Sequence, residues 1–283
     1  EGRVAVDDDG QGDGRVELGR PGTVGAGAGG AGHARHDRVD RLEVAGVGGQ
    51  LDGQVDGAGI VVVDISNPAA PTNVGFCSIV GASGHGVAVA GNYVYVAGNP
   101  TLNIFDISDP TNPDLVSYLW MPGQPYAAAV QGSMAYVPTW YEGLRTVNVA
   151  DPAHPVLIGA YEETVNAKDL AISGSYALMA QVHYGLHLVD LSNLRAPRDA
   201  GSIAVPGEAE GVAVSGNYAY VAGDHIYIYD ISNRENPTQV GFYEGAEGID
   251  YDVVISGSTL YAATGNELVI LDISNPVDPA PLT

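Results

Sequence analysis

The amino-acid sequence predicts an all-β fold: a β-propeller of four-stranded blades repeating about every 42 residues, six blades in all, the first of them incomplete. Three observations carry this. A strand-and-turn phrase recurs as "IVVVDISNPAAPTNV" from Ile60, "LNIFDISDPTNPDLV" from Leu102, "IYIYDISNRENPTQV" from Ile226 and "LVILDISNPVDPAPL" from Leu268. Divergent copies keep the frame at Leu144 ("LRTVNVADPAHPVLI") and Leu186 ("LHLVDLSNLRAPRDA"). The residues that close these strands, Asp64, Asp106, Asn148, Asp190, Asp230 and Asp272, are spaced by 42, 42, 42, 40 and 42 positions. A second phrase sits between them: "VAVAGNYVYVAG" (87–98), "AAVQGSMAYVP" (128–138), "LAISGSYALMA" (170–180), "VAVSGNYAYVAG" (212–223) and "VVISGSTLYAA" (253–263).

One unit, read in order, gives four strands. Val87–Ala90 is apolar and runs into Gly91–Asn92, a pair that tolerates the positive φ of a two-residue hairpin. Tyr93–Ala97 returns with aromatic and β-branched side chains suited to a half-buried pleated surface. Leu102–Ile107 is the third strand, and Leu115–Leu119, after "SDPTNP", is the fourth. A β-solenoid also repeats strands, but its coils are usually shorter and lack a tight hairpin in every unit. The recurring Asp suggests a site at first sight. A carboxylate at a strand end before Ser and Asn/Asp-Pro instead caps the following amides and fixes a turn. One active site needs one copy, not six, and Asn148 keeps the capping oxygen without the charge. Pro110 and Pro113 fix φ and remove donors, which places them in that turn or at the start of an outer strand.

The "IVVVDIS", "LHLVDLS" and "LVILDIS" strands, with the "NPxxP" that follows, resemble the LVIVD-repeat family over residues 60 to 283. The resemblance implies a bacterial or archaeal cell-surface or secreted protein with a propeller-like array, and it supplies no catalytic residues. "LSNLRAP" at 191–197 lacks the first proline, so the fourth blade is expected to turn less regularly.

Residues 1–59 are a different kind of text, without Ser, Asn, Lys, Ile, Phe, Tyr, Trp, Met or Cys. Nearly every residue there has codons beginning with G or C, as a GC-rich stretch read in another frame would give. The expectation is a wrong-frame 5′ end or a disordered Gly/Ala/Asp linker, with no fold assigned. The repeat domain, 60–283, begins after it.

Formal net charge is −23, with 23 acids against 5 bases from residue 60 onward. That argues against nucleic acid, whose recognition rests on Lys and Arg at phosphates. Cys77 is the sole cysteine, so neither an intramolecular disulfide nor a thiolate metal site is expected. No apolar run reaches the length of a membrane-spanning helix.

In a propeller the fourth-to-first and second-to-third connections share one face, and here those loops vary while the strands repeat, which marks them for binding. The first set offers His85, Tyr126, Lys168 with Asp169, Glu208 with Glu210, and Glu247 with Asp250 and Asp252. The second offers Trp140, Tyr141 and Glu142, then His183 and Tyr184, Asp224 and His225, and Glu267. Exposed Trp-Tyr and His-Tyr pairs suit a protein or carbohydrate partner, burial between blades being the plainer use. His85, His183 and His225 come from three blades, but no ligand spacing supports a metal. The acids at 208–210 and 247–252 could take Ca²⁺ through oxygen, although no calcium-loop pattern is present, so no cofactor is expected. "GASGHG" (81–86) is not a nucleophile elbow, and there is no His-Glu-x-x-His. The expectation is a non-enzymatic, extracytoplasmic binding or scaffold propeller. A metal- or Ca²⁺-assisted hydrolase on the same face and a passive spacer are the alternatives.

Overall fold

A computed structural model describes residues 42–45, 59–67, 69–81, 83–163, 166–244, 250–264 and 268–282. Every regular element among them is a β-strand. The first sheet holds β1 (Leu42–Ala45), β2 (Gly59–Asp64) and β3 (Thr72–Ser78) in that order. Five four-stranded sheets follow, each a simple antiparallel meander. The second blade is β4 (Ser83–Ala90), β5 (Tyr93–Asn99), β6 (Thr101–Asp106) and β7 (Asp114–Trp120), and the third is β8 (Ala129–Gln131), β9 (Met134–Thr139), β10 (Gly143–Asn148) and β11 (Val156–Tyr161). The fourth is β12 (Ala167–Ser173), β13 (Tyr176–Gln181), β14 (Gly185–Asp190) and β15 (Arg198–Ile203). The fifth is β16 (Gly211–Ser215), β17 (Tyr218–Ala222), β18 (Ile226–Asp230) and β19 (Thr238–Tyr243), and the sixth is β20 (Asp250–Ser256), β21 (Thr259–Thr264), β22 (Leu268–Asp272) and β23 (Ala280–Pro281).

Six blades with a three-stranded first one match the sequence expectation. Leu42–Ala45 departs from it, because a strand paired antiparallel with β2 lies in the stretch to which no fold was assigned. The apolar alternation of "LEVA" is the signal that allows it.

Each of the five four-stranded blades turns its first hairpin on a glycine with positive φ: Gly91 at 62°, with Gly132, Gly174, Gly216 and Gly257 within a few degrees of it. The Asn or Ser that follows keeps negative φ, so the turn is of the II′ kind, whose twist matches the strands it joins. The side-chain oxygen of every strand-closing residue accepts the amide two positions on. The distances are 2.8 Å for Ser66 on Asp64, 2.7 Å for Ser108 on Asp106 and 2.9 Å for Ala150 on Asn148. They are 2.8 Å for Ser192, Ser232 and Ser274 on Asp190, Asp230 and Asp272. The residue between then donates its own amide to the hairpin of the same blade, as Ile107 does to the Asn92 carbonyl at 2.8 Å. The two recurrent phrases therefore recur together in the five four-stranded blades, because the hairpin of one accepts the amide that follows the strand-closing residue of the other.

A second turn follows from the same chemistry, with Asp109 accepting the Thr111 amide at 3.1 Å and Asn193 accepting that of Arg195 at 3.2 Å. The fourth blade thus turns as regularly as the others, contrary to expectation. The Asn193 side-chain and main-chain oxygens hold the turn, and the missing proline contributes nothing essential.

These turns also join blades. On the outer strand a β-bulge is followed by a small residue against which the next blade's turn seats. A Cβ built on Gly75 lies 2.1 Å from the Pro110 carbonyl oxygen, and one on Gly159 lies 2.1 Å from that of Leu194. In the second blade Ser117 occupies this place, and its hydroxyl donates to the Pro152 carbonyl at 2.6 Å. The hydrophobic core lies between blades. Leu102 and Ile104 pack forward on Ala135, Val137 and Val147, while Phe105, beside its cross-strand partner Val94, packs backward on Ile60 and Val62. Full burial of each such side chain contributes roughly 1.5–3 kcal/mol.

Candidate variable-loop binding face

The inner strands β4, β8, β12, β16 and β20 lie side by side in chain order. The residue six positions before each hairpin glycine reaches the same end of this inner wall: His85, Tyr126, Lys168 and Glu210 in successive blades. Sequence reading had gathered these four, and the structure joins them in neighbouring pairs. The His85 ring stacks on Tyr126 with centroids 4.4 Å apart and planes 8° apart, and Trp140 leans on Tyr126 at 5.1 Å. His85 Nε2 lies 3.1 Å from the Ser83 hydroxyl. Lys168 forms an ion pair with Glu210, whose side chain is 4 % exposed. Asp169, one step further along β12, accepts the amides of Leu170 and, at 2.8 Å, of Val212 in the next blade. Gly86 and Gly211 stand at the position of Asp169, and a Cβ on Gly86 comes within 2.6 Å of Ala127 Cα. The inner strands of the second and third blades thus approach by backbone at Gly86, and those of the fourth and fifth are joined by the Asp169 carboxylate.

The second-to-third loops add an exposed fringe. Trp140 is half-buried by its ring contact, whereas Tyr141 and Tyr184 are 57 % and 60 % exposed. The loop carrying Trp140 is tied to the incoming linker, since the Trp140 and Tyr141 amides donate to the carbonyls of Gln124 and Gly123 at 2.9 and 3.1 Å. Gln124 itself takes a φ of 60°, the sole positive value at a non-glycine among the described residues. Glu142 accepts from Arg145 Nη2 at 2.5 Å. His183 approaches Glu208 at 3.8 Å across the next blade boundary, an exposed pair of small energetic weight. His225 neighbours Tyr227 and Phe242, each at 6.1 Å. The three histidines therefore do not converge, and no three His, Cys, Asp or Glu side chains meet as metal ligands among the described residues. Glu247 and Glu267 lie outside the described residues, as does the Asp250 side chain; Asp252 accepts the Val253 amide at 2.8 Å.

Sequence reading missed a second polar series at the third residue before each anchor: Asn103, Arg145, His187 and Tyr227, where the first and last blades have Val61 and Val269. Asn103, His187 and Tyr227 lie in a seam with the preceding blade or its linker. Asn103 accepts the Val80 amide at 2.9 Å. Arg145 is buried, and its Nε and Nη1 have no partner among the described residues. His187 Nε2 stands 3.1 Å from the Tyr161 hydroxyl, 3.2 Å from Asp199 and 3.4 Å from Glu163. Burial, with the Glu163 and Asp199 charges, pushes the Tyr161 phenol well above its ordinary range. Tyr227 donates to Asp224 at 2.7 Å, and burial with that carboxylate raises its phenol likewise. The available signal was a polar residue where the repeated strand has valine.

Blades of this kind, with invariant turns and a rim whose chemistry changes from blade to blade, define a repeat β-propeller. The LVIVD repeat matches residues 55–78, 82–119, 122–163, 166–205, 206–244 and 247–281, and the chain belongs to that family. Among solved structures the chain is similar to the β-propeller domain of Cps50 (Swd1) from Myceliophteria thermophila. That match has a TM-score of 0.65 and 11 % identity, and covers 86 % of this chain and 82 % of that one. Sqt1 from Chaetomium thermophilum gives 0.63 at 14 % identity, covering 86 % and 69 %. The computationally designed Ika8 protein gives 0.62 at 11 % identity, covering 83 % and 69 %. At these identities the likeness is one of fold. Comparison with curated proteins gives no match.

Proposed function

We propose that this chain is a non-enzymatic recognition module, displayed outside the cytoplasm, that holds a protein or carbohydrate partner on its variable loop face. The observation that carries the reading is the use of equivalent positions in neighbouring blades for unlike chemistry: an aromatic stack at His85–Tyr126–Trp140, then an ion pair at Lys168–Glu210. A scaffold that only closed its own turns would have no reason to vary there. Tyr141 and Tyr184 stand exposed beside them, ring surfaces of the sort that anchor recognition. Carboxylates on this face are engaged, Glu142 on Arg145, Glu210 on Lys168 and Asp169 on two amides, which favours binding over hydrolysis. Family membership supports the extracytoplasmic setting.

The test is a glycan array and a peptide array probed with the wild type and with Tyr141→Ala/Tyr184→Ala. Selective capture that falls about tenfold or more in the variant supports the reading. Capture unchanged by the variant, or release of cleaved product from a captured glycan, overturns it.

A further inference from the structure

The outer rim carries a second surface that the loop face does not explain. Strand β7 ends its sheet, so one edge of it presents unpaired backbone donors and acceptors. Tyr118 and Trp120, two residues apart and hence on one side of the strand, are 55 % and 63 % exposed. Ser117, on the opposite side, is taken by the Pro152 carbonyl of the next blade. Val80, 36 % exposed, continues the apolar surface. It is hydrogen-bonded to Thr101 and Asn103, the residues paired with Trp120 and Tyr118. The equivalent pairs on the other outer strands are Phe76/Ser78, Ala160/Glu162, Ser202/Ala204 and Phe242/Glu244, so two adjacent large rings occur at β7 alone among them.

Charge selects the occupant. Residues 60–144 contain no Lys or Arg, and the five bases of the repeats all lie between Arg145 and Arg234. At the end of β7 remote from Trp120, Asp114 stands opposite Asp106. The edge thus runs from two carboxylates to two aromatic rings over roughly 20 Å, the length of six strand residues. A second copy of this acidic chain is repelled there. A partner bearing Lys or Arg is drawn to the carboxylates and stacks its cations on the rings.

We propose that the outer edge of β7 docks an extended cationic segment of a partner protein, added to the second blade as a further strand. This site lies on the outer rim; its Trp120 and Val80 end adjoins the loop face, but its rings are distinct from the Tyr141 and Tyr184 fringe. The probe is a fluorescein-labelled peptide of about ten residues alternating Lys and Val, compared with its Glu–Val counterpart and with a Lys–Val peptide N-methylated at alternate amides. In a Trp140→Phe background Trp120 is the sole tryptophan, so its emission reports the site directly. Expected are a blue shift of Trp120 with the Lys–Val peptide, loss of that binding on N-methylation, and weakening in about 0.5 M salt. Tyr118→Ala/Trp120→Ala is expected to weaken anisotropy-measured binding about tenfold or more. Tyr141→Ala/Tyr184→Ala is expected to leave it unchanged, which separates failure here from failure of the loop-face reading. No binding of the Lys–Val peptide, equal binding of the Glu–Val peptide, equal binding by the Tyr118/Trp120 variant, or a Trp120 blue shift with zwitterionic phosphatidylcholine vesicles instead of peptide each overturns the proposal.

Discussion

Asn148 separates geometry from charge at the recurring strand end. It accepts the same i+2 amide as its five aspartate counterparts, so the turn requires an oxygen and not an ion. The ion nevertheless has a consequence where the amide lowers its pKa. The Ser192, Ser232 and Ser274 amides, helped by their hydroxyls, hold the Asp190, Asp230 and Asp272 carboxyls below the ordinary range. A depressed folded pKa contributes stability that is complete above the unfolded value, about 3.9, and is lost as pH falls through the folded one. The wild type is therefore expected to lose thermal stability below about pH 4. Asp190→Asn/Asp230→Asn/Asp272→Asn is expected to melt near the wild type at neutral pH and to lose less on acidification. Melts followed by circular dichroism at both ends of that window check it; an acid loss as steep as the wild type's would show that these caps do not titrate with folding.

At the level of the element, two glycines of the third and fourth blades distinguish turn strain from blade packing. Gly174 has a φ of 61° with open space around its missing Cβ, so Gly174→Ala is expected to cost only the backbone strain of that turn position, on the order of 1 kcal/mol. Gly159 is the seat of the next blade's turn, with the Leu194 carbonyl oxygen and Arg195 backbone where a methyl must go. Gly159→Ala is expected to cost more, up to about 3 kcal/mol, because it pushes two blades apart. Urea denaturation of the two variants orders them, and a Gly159→Ala cost no larger than that of Gly174→Ala would mean that the seat gives way freely. The contrast also explains what the sequence could tell. Gly174 was readable because a hairpin turn is a local matter of adjacent residues. Gly159 looks like an ordinary weak spot in an outer strand, since its reason lies about 35 residues ahead in another sheet. The same holds for "LSNLRAP", where the absent proline suggested a loose turn that Asn193 in fact secures.

Across the whole molecule, the period and blade order were legible because one phrase fixes both the strands and the turns that close them. Pairings between blades were not, since Lys168–Glu210 spans 42 positions and follows only once the inner strands are set side by side. That pair gives one test: Lys168→Met leaves the Glu210 carboxylate buried beside a lost cation and is expected to cost roughly 3 kcal/mol, with Lys168→Met/Glu210→Gln recovering much of it in urea melts. Long-range charge works in the opposite direction from such pairs. The repeats carry 23 acids against 5 bases, so most of their carboxylates repel one another without a cation to relieve them. Their mutual repulsion reaches about 30 Å at 0.01 M salt and about 10 Å at 0.1 M, a range that shrinks from spanning several blades to within one. Folding concentrates that charge, so screening it favours the folded state. The melting temperature is expected to rise as sodium chloride is raised from about 0.01 to 0.2 M, and Lys168→Met/Glu210→Gln, which removes one base and one acid, is expected to keep that slope. A melting temperature that falls with salt would mean that the ion pairs in the seams outweigh the repulsion of the surface.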